Sequence, residues 1–276
     1  MRALRMVALD LREGLRSIAG WYVALIGVCT LSFCSALLTL LAYGRPAVFS
    51  LGEALVFLSA GVPEQLLGQS EPVRIPVEWL IIFMLSLYMV LWYPYRDFHG
   101  FGSQIMVASG GRLAWWFSKC FWVCASILLY WMVAGVCAFI CAFITGGALD
   151  LRVTDSLGYA LTWNGSPLSD YHLICLYLCS VVVNTVALAL IQLVISLIWH
   201  PLIAYVASLS ILVLSVLIFD IPYLLGNQIM FLRNLASDGF GHDPIMGIVI
   251  GCSVIAMCVV VGAIRMPFID IVDRGN

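Results

Sequence analysis

Six long apolar stretches dominate the sequence and limit what the chain can fold into. A membrane-spanning helix needs roughly 20 apolar residues at a rise of about 1.5 Å per residue. The stretches cover residues 21–43, 75–95, 115–145, 171–199, 201–219 and 244–264. We therefore predict an all-α integral membrane protein, with about six transmembrane helices in a single transmembrane domain, residues 1–276.

The composition supports a lipid environment. Hydrophobic residues make up 63% of the chain and charged residues 10%, against about 45–50% and about 25% in soluble domains. So many apolar residues cannot be hidden inside one soluble core. The chain has no G-x-x-x-x-G-K-[ST] motif, and its lone lysine is Lys119, so we expect no nucleotide site on it. The net charge of -2 does not favour a nucleic-acid partner.

Most of the positive charge lies on one side of this topology. Six spans put both chain ends on the same side, and nine of the thirteen Lys and Arg residues fall there. The nine are Arg2, Arg5, Arg12, Arg16, Arg96, Arg112, Lys119, Arg265 and Arg274. Because cytoplasmic loops are enriched in Lys and Arg, we expect both termini in the cytoplasm and the chain in the cell (inner or plasma) membrane.

The segment before the first span has the pattern of an amphipathic helix. Apolar residues recur at helical spacing between Leu4 and Leu15, with arginines between them. This pattern favours an N-terminal helix lying in the cytoplasmic interface over a simple extension of the first span. Gly14 and Gly20 offer places to bend.

The loop between the second and third spans contains a short apolar run. Residues 104–109 predict a cytoplasmic helix, with glycines at both ends. Such a helix can rest on the membrane or dock in the groove of a soluble partner. On the other side, residues 51–60 and 224–235 predict outer re-entrant segments, with amphipathic surface helices as the alternative.

Chemistry-bearing groups are scarce inside the spans. Ionisable residues sit at span ends, as Glu78, Lys119, His200 and Asp220 do, which disfavours a proton-coupled pump. The four histidines form no H-x-x-H or H-E-x-x-H motif, so we expect no enzyme activity, metal or cofactor on this chain. The ten cysteines include pairs four residues apart. We interpret them as small packing residues rather than as a soft-metal path.

Two polar or small-residue patterns remain in the apolar stretches. A stripe on the fourth span is predicted either to pack helices together or to line a substrate path; its members are Ser180, Asn184, Gln192 and Ser196. Gly247 and Gly251 form a small-xxx-small pair on the last span, which predicts close helix packing within the chain or in a dimer.

Three stretches make the chain resemble the transmembrane subunit of a type-two ABC exporter. Residues 102–119, GSQIMVASGGRLAWWFSK, are similar to the coupling segment of bacterial permeases in that family. Residues 224–234, LLGNQIMFLRN, resemble the outer re-entrant segment before the last span. Residues 262–273, GAIRMPFIDIVD, resemble the tail that ends such chains. Within the family, the chain most resembles the subgroup for bacteriocin or peptide-antibiotic export and immunity.

The resemblance implies that the pore and the ATP-binding sites belong to different subunits. Two permease chains, identical or not, would form the pore, and separate ATPase subunits would bind ATP and dock beneath. The substrate would be hydrophobic or peptide-like, such as an antimicrobial peptide or a drug. The ATPase-coupling residues would be Gln104, Ile105, Met106, Val107, Arg112 and Lys119, the last two holding the turn near headgroups or ATPase acids.

Two other classes stay open from the sequence. One is an ATP-independent secondary transporter or channel, which the lack of intramembrane charge disfavours. The other is a structural or regulatory membrane protein without transport, because a fold alone does not define a function.

Overall fold

Helices make up every regular element of the described chain. The computed structural model describes residues 2–63, 75–100, 102, 106, 111–161, 170–218, 221–238 and 241–268. The longer helices are α1 (Arg2–Ala42), α3 (Val77–Met89), α4 (Trp92–His99), α5 (Arg112–Thr145), α7 (Tyr171–Ile198), α8 (Pro201–Leu217) and α11 (Pro244–Arg265). The short ones are α2 (Leu51–Phe57), α6 (Asp155–Ala160), α9 (Leu225–Gln228) and α10 (Leu235–Asp238), with 3-10 turns at Phe231–Arg233 and Met266–Phe268.

Five helical stretches are long and apolar enough to cross a membrane. They are Met6–Ala42, Val77–His99, Arg112–Thr145, Tyr171–Ile198 and Pro244–Phe268. Each overlaps one of the predicted spans, although the first begins well before the predicted 21–43. The remaining predicted span, residues 201–219, forms the apolar helix α8 of 17 residues, about 25 Å long at about 1.5 Å per residue.

Helix α1 is continuous over 41 residues, so the predicted bend between an interfacial helix and the first span is absent. A buried stripe explains this difference, since Asp10, Gly14 and Ile18 continue along one face into Leu25. That face packs against α5. A Cβ atom on Gly14 would collide with the indole of Trp122, so this glycine permits close helix contact rather than a bend.

The second span is interrupted after Met89. Helix α3 ends there, and α4 restarts at Trp92. Proline lacks an N–H and its ring clashes with the carbonyl four residues earlier, so Pro94 accounts for the interruption near Val90. The restarted helix α4 carries Asp97.

The bundle has two distinguishable ends. At the Asp10 end, named after its buried carboxylate, Arg112 at the start of α5 donates to the Pro267 carbonyl at 2.7 Å, just after α11. Helix α1 begins at this end as well, because Asp10 contacts Lys119 near the start of α5. The start of α1 and the end of α11 therefore lie at the same end of the bundle.

The opposite end is the Arg233 end, where the two predicted outer segments, residues 51–60 and 224–235, pack into the bundle. The N–H groups of Phe231 and Leu232 donate to the carbonyls of Ser59 and Ala60 at 2.9 and 3.0 Å. The hydroxyl oxygen of Tyr177, fully buried, lies 3.0 Å from the Ser59 carbonyl. These contacts satisfy backbone groups of both segments within the protein.

Two buried charged side chains brace this end. Glu53, 2% exposed, closes a capping box with Ser50 at the start of α2, and it also accepts from the N–H and hydroxyl of Thr154. Arg233, 4% exposed, donates to the carbonyls of Val62, Ser215 and Val216 and to Asn227. Thus Arg233, which lies in the predicted outer segment 224–235, is part of the packed interior.

Helix α8 reaches both ends despite its length. The ring of its N-cap residue, His200, lies 6.3 Å from that of Trp92 and 5.6 Å from that of Tyr95, both on α4. Near its other terminus, the carbonyls of Ser215 and Val216 accept from Arg233. Helix α8 therefore runs alongside α7 from the Asp10 end of the bundle to the Arg233 end.

Candidate functional site

A buried lysine between two carboxylates is the most highly charged feature of the described interior. The Nζ of Lys119, on α5, lies 2.5 Å from the Oδ1 of Asp10 on α1 and 2.8 Å from the Oδ2 of Asp97 on α4. The Lys119 side chain has no exposed surface, and those of Asp10 and Asp97 are 10% and 19% exposed. We call these three residues the ionic cluster; it joins three helices at the Asp10 end.

The surrounding side chains complete the hydrogen bonding of the cluster. Asp10 accepts from the hydroxyls of Ser118 at 2.5 Å and Tyr93 at 2.9 Å. Asp97 accepts from the indole N–H of Trp115 at 2.8 Å. The Lys119 ammonium also lies 4.5 Å from the ring centroid of Tyr93, within range of a cation–π interaction. Burying a charge is tolerable only when it is paired and bonded in this way.

The position of Lys119 differs from the expectation that it faces headgroups or ATPase acids. Two carboxylates within the chain hold it, and neither was recognised as its partner from the sequence. Arg112 also bonds within the chain, to the carbonyls of Met266 and Pro267. Both cations thus bind the beginning of α5 to other parts of the bundle.

The predicted coupling segment, residues 102–119, begins next to Asp97 of the ionic cluster. Gly102 is helical, and a Cβ atom there would collide with the carboxylate of Asp97. Met106 is helical and 1% exposed, packed in the apolar core. The other apolar positions of this segment, Ile105 and Val107, and its Gln104 lie outside the described residues. Gly102 and Met106 themselves therefore pack against the body of the bundle.

The polar stripe on α7 is buried. Ser180 and Asn184 are fully buried, Gln192 is 2% exposed and Ser196 is 5% exposed. The amide of Asn184 donates to the carbonyl of Gly247 on α11 at 3.0 Å, and that of Gln192 donates to the carbonyl of Leu87 on α3 at 2.9 Å. These bonds are interhelical contacts within one chain, of the kind polar residues make between membrane helices.

Gly247 and Gly251 lie against this stripe. A Cβ atom on Gly247 would collide with the Ser180 hydroxyl, and one on Gly251 would lie 2.7 Å from a methyl group of Val183. The small-xxx-small pair therefore lets α11 approach α7 closely inside the chain. The surface of both glycines is buried in this contact.

The cysteines are all unpaired thiols. Cys29, Cys120 and Cys258 are buried in the apolar core. In the part of the chain that the structure describes, no group of three or more His, Cys, Asp or Glu side chains could hold a metal ion.

These features indicate a multi-pass α-helical membrane protein with one buried ionic cluster at one end of its bundle. The chain matches no family model, no curated protein and no solved structure.

Proposed function

We propose that this chain is the permease subunit of an ATP-driven ABC transporter and exports a hydrophobic or peptide-like substrate. One observation carries the proposal: the ionic cluster links the start of the coupling segment to the long helices α1 and α5. Gly102 contacts Asp97, Asp97 binds Lys119, and Lys119 binds Asp10. A force applied to the segment would act on two helices that extend to the other end of the bundle.

In this proposal the bundle crosses the membrane six times, with α8 as the fifth crossing. The contacts of α8 at both ends of the bundle support that count. At roughly 60 Å and 50 Å, α1 and α5 exceed the hydrocarbon core of about 30 Å. Their extensions carry the ionic cluster beyond the bilayer at the Asp10 end. The nine-to-four charge asymmetry favours this end, with both termini, on the cytoplasmic side of the cell membrane.

In this proposal, ATP is bound by partner subunits and not by this chain. A second permease chain, identical or not, completes the pore, and separate ATPase subunits bind the coupling segment. The segment offers Ile105 and Val107 to the ATPase groove, while Met106 anchors the segment to the bundle because its side chain is buried. A helix seated in a groove depends on a few apolar anchors.

An ion-driven transporter is the second candidate, and the ionic cluster is the observation that favours it. Buried ionisable groups in membrane proteins often mark proton or ion paths. Asp10 precedes Trp21, where the apolar run begins, by eleven positions, about 16 Å along a helix. The cluster thus lies toward the end of the bundle, which suits a clamp between helices better than a relay at mid-membrane.

The discriminating experiment is co-purification of the intact chain with a soluble ATPase, followed by ATP-dependent transport in vesicles. We expect Ile105→Asp to insert normally but to lose ATPase binding or uncouple hydrolysis from transport. Met106→Asp is expected to have the same effect and also to unfold the chain, because the Met106 side chain is buried in the apolar core. The matched control is Tyr223→Asp, an exposed apolar side chain at the Arg233 end.

Three results would decide against the permease. They are full ATPase binding and transport by Ile105→Asp, equal loss in Tyr223→Asp, and uptake by the lone chain driven by an ion gradient without ATP. The last of these would support the second candidate.

A further inference from the structure

A small aromatic cleft opens on the side of the bundle near the Asp10 end. It lies between α1 and the α3–α4 break and has a volume of about 170 Å³. Its walls include Trp21, Tyr88, Trp92 and Tyr93, and Arg96 stands at its rim. The rings of Trp21 and Tyr88 meet edge to face at 4.9 Å. From these features we propose that the cleft binds the phosphate-bearing headgroup of an anionic membrane phospholipid.

The level of the cleft along the bundle matches that of a lipid headgroup. Trp21 begins the first apolar run and Trp92 follows the end of α3; Trp and Tyr are enriched where membrane meets water. Arg96 lies one helical turn beyond Trp92, about 6 Å further toward the Asp10 end. The cation is therefore placed just outside the aromatic level, where lipid phosphate lies.

The cleft can be reached from the lipid phase. Trp21 is 38% exposed on the outer side of α1, and Arg96 is exposed at the rim. A lipid can thus enter sideways, its chains along the apolar surface and its headgroup between the aromatic rings.

Hydrogen-bond donors in the cleft suit an anion. Arg96 makes no ion pair or hydrogen bond with any described residue, and the same holds for the indole N–H groups of Trp21 and Trp92. Asp97, the carboxylate next to Arg96 in the chain, is paired with Lys119. A guanidinium and two indole donors remain for phosphate and glycerol oxygens.

The cleft is large enough for a lipid headgroup but too small for a drug-sized transported substrate. A volume of about 170 Å³ leaves room for a phosphate and the adjoining glycerol. Pockets that hold drug-sized ligands measure about 300–1,000 Å³. This inference stands apart from the proposed transport function, because it requires neither ATP nor a partner.

Native mass spectrometry of the delipidated full chain in a neutral detergent tests the site, with phosphatidylglycerol and phosphatidylcholine as probes. We expect phosphatidylglycerol to bind more tightly. A basic residue near an anionic lipid surface contributes about a five-fold change in affinity, so Arg96→Gln should weaken phosphatidylglycerol binding about five-fold. Arg16→Gln removes an exposed cation from the same end outside the cleft, and it should leave the affinity unchanged.

Ser17→Trp provides a steric test, because Ser17 lines the cleft and an indole there would fill it while Arg96 remains. Loss of phosphatidylglycerol binding in this variant supports the cleft. Unchanged binding in either Arg96→Gln or Ser17→Trp would overturn it, as would an equal loss in Arg16→Gln. Displacement of the lipid by inorganic phosphate would assign the donors to a soluble anion and refute the lipid site.

Discussion

The Nζ of Lys119 lies 2.5 Å from the carboxylate of Asp10, a residue 109 positions earlier in the chain. This contact joins the two longest helices, α1 and α5. Both side chains are buried, so removing one partner leaves the other as an uncompensated charge. Breaking such a pair costs more than forming it contributes, because desolvation already offsets much of the attraction.

Replacing Lys119 with Met is expected to destabilise the protein by about 3–5 kcal/mol, because Asp10 and Asp97 then face each other without a cation. The measurement is the free energy of unfolding of the purified chain in detergent. Arg152→Met is the control: its ion pair with Asp150 is exposed, and such pairs contribute about 0–1 kcal/mol. Equal stability losses in the two variants would contradict a buried cluster, and adding Asp10→Asn to Lys119→Met should restore part of the loss.

Enlarging Gly247 is expected to separate α11 from α7. In Gly247→Ala the new methyl group meets the Ser180 hydroxyl and the Gln228 side chain, and overpacking of this kind costs about 1–3 kcal/mol. Gly27→Ala is the matched control in α1, where a Cβ atom meets no other atom within 4 Å. There the change should be neutral or stabilising, since alanine favours a helix over glycine by about 1 kcal/mol. A destabilised Gly27→Ala beside an unaffected Gly247→Ala would refute this packing.

Removing all ten cysteines should leave the fold intact. The thiols are unpaired, and only three of the ten are buried, so replacement by Ala or Ser is expected to cause only modest packing losses. Yield of monodisperse protein and its thermal midpoint measure the effect. If Cys120→Ser or Cys175→Ser alone abolished function at normal protein levels, a thiol site would have to be considered again.

Helix boundaries could be predicted because local signals define them. His200 caps α8 just before Pro201, Asp243 caps α11 just before Pro244, and Gly146 ends α5 in the left-handed conformation. Each signal lies within two residues of the helix terminus it sets. The apolar runs between such signals then identify the spans.

The ionic cluster could not be predicted in the same way, because it joins residues far apart in the sequence. One local signal was present. Asp10 lies four residues before Gly14 and eight before Ile18, on the stripe that α1 buries. A carboxylate on a buried stripe requires a cation, and Lys119 is the chain's lone lysine. The interfacial-helix interpretation puts the N-terminal segment flat on the membrane, away from α5, and therefore does not predict the pairing of Asp10 with Lys119.

The number of crossings depends on α8, whose 17 residues make it the shortest of the apolar helices proposed to span. We expect it to cross, which puts Trp199 and Tyr223 on opposite sides of the membrane. Both side chains are exposed, by 59% and 67%. In the cysteine-free variant, Tyr223→Cys should react with a membrane-impermeant maleimide in intact cells, and Trp199→Cys should react only after the membrane is opened. Labelling of both positions from one side would mean that α8 does not cross. That result would also contradict the arrangement in which the start of α1 and the end of α11 lie at the same end of the bundle, and the positive-charge argument for two cytoplasmic ends would fail with it.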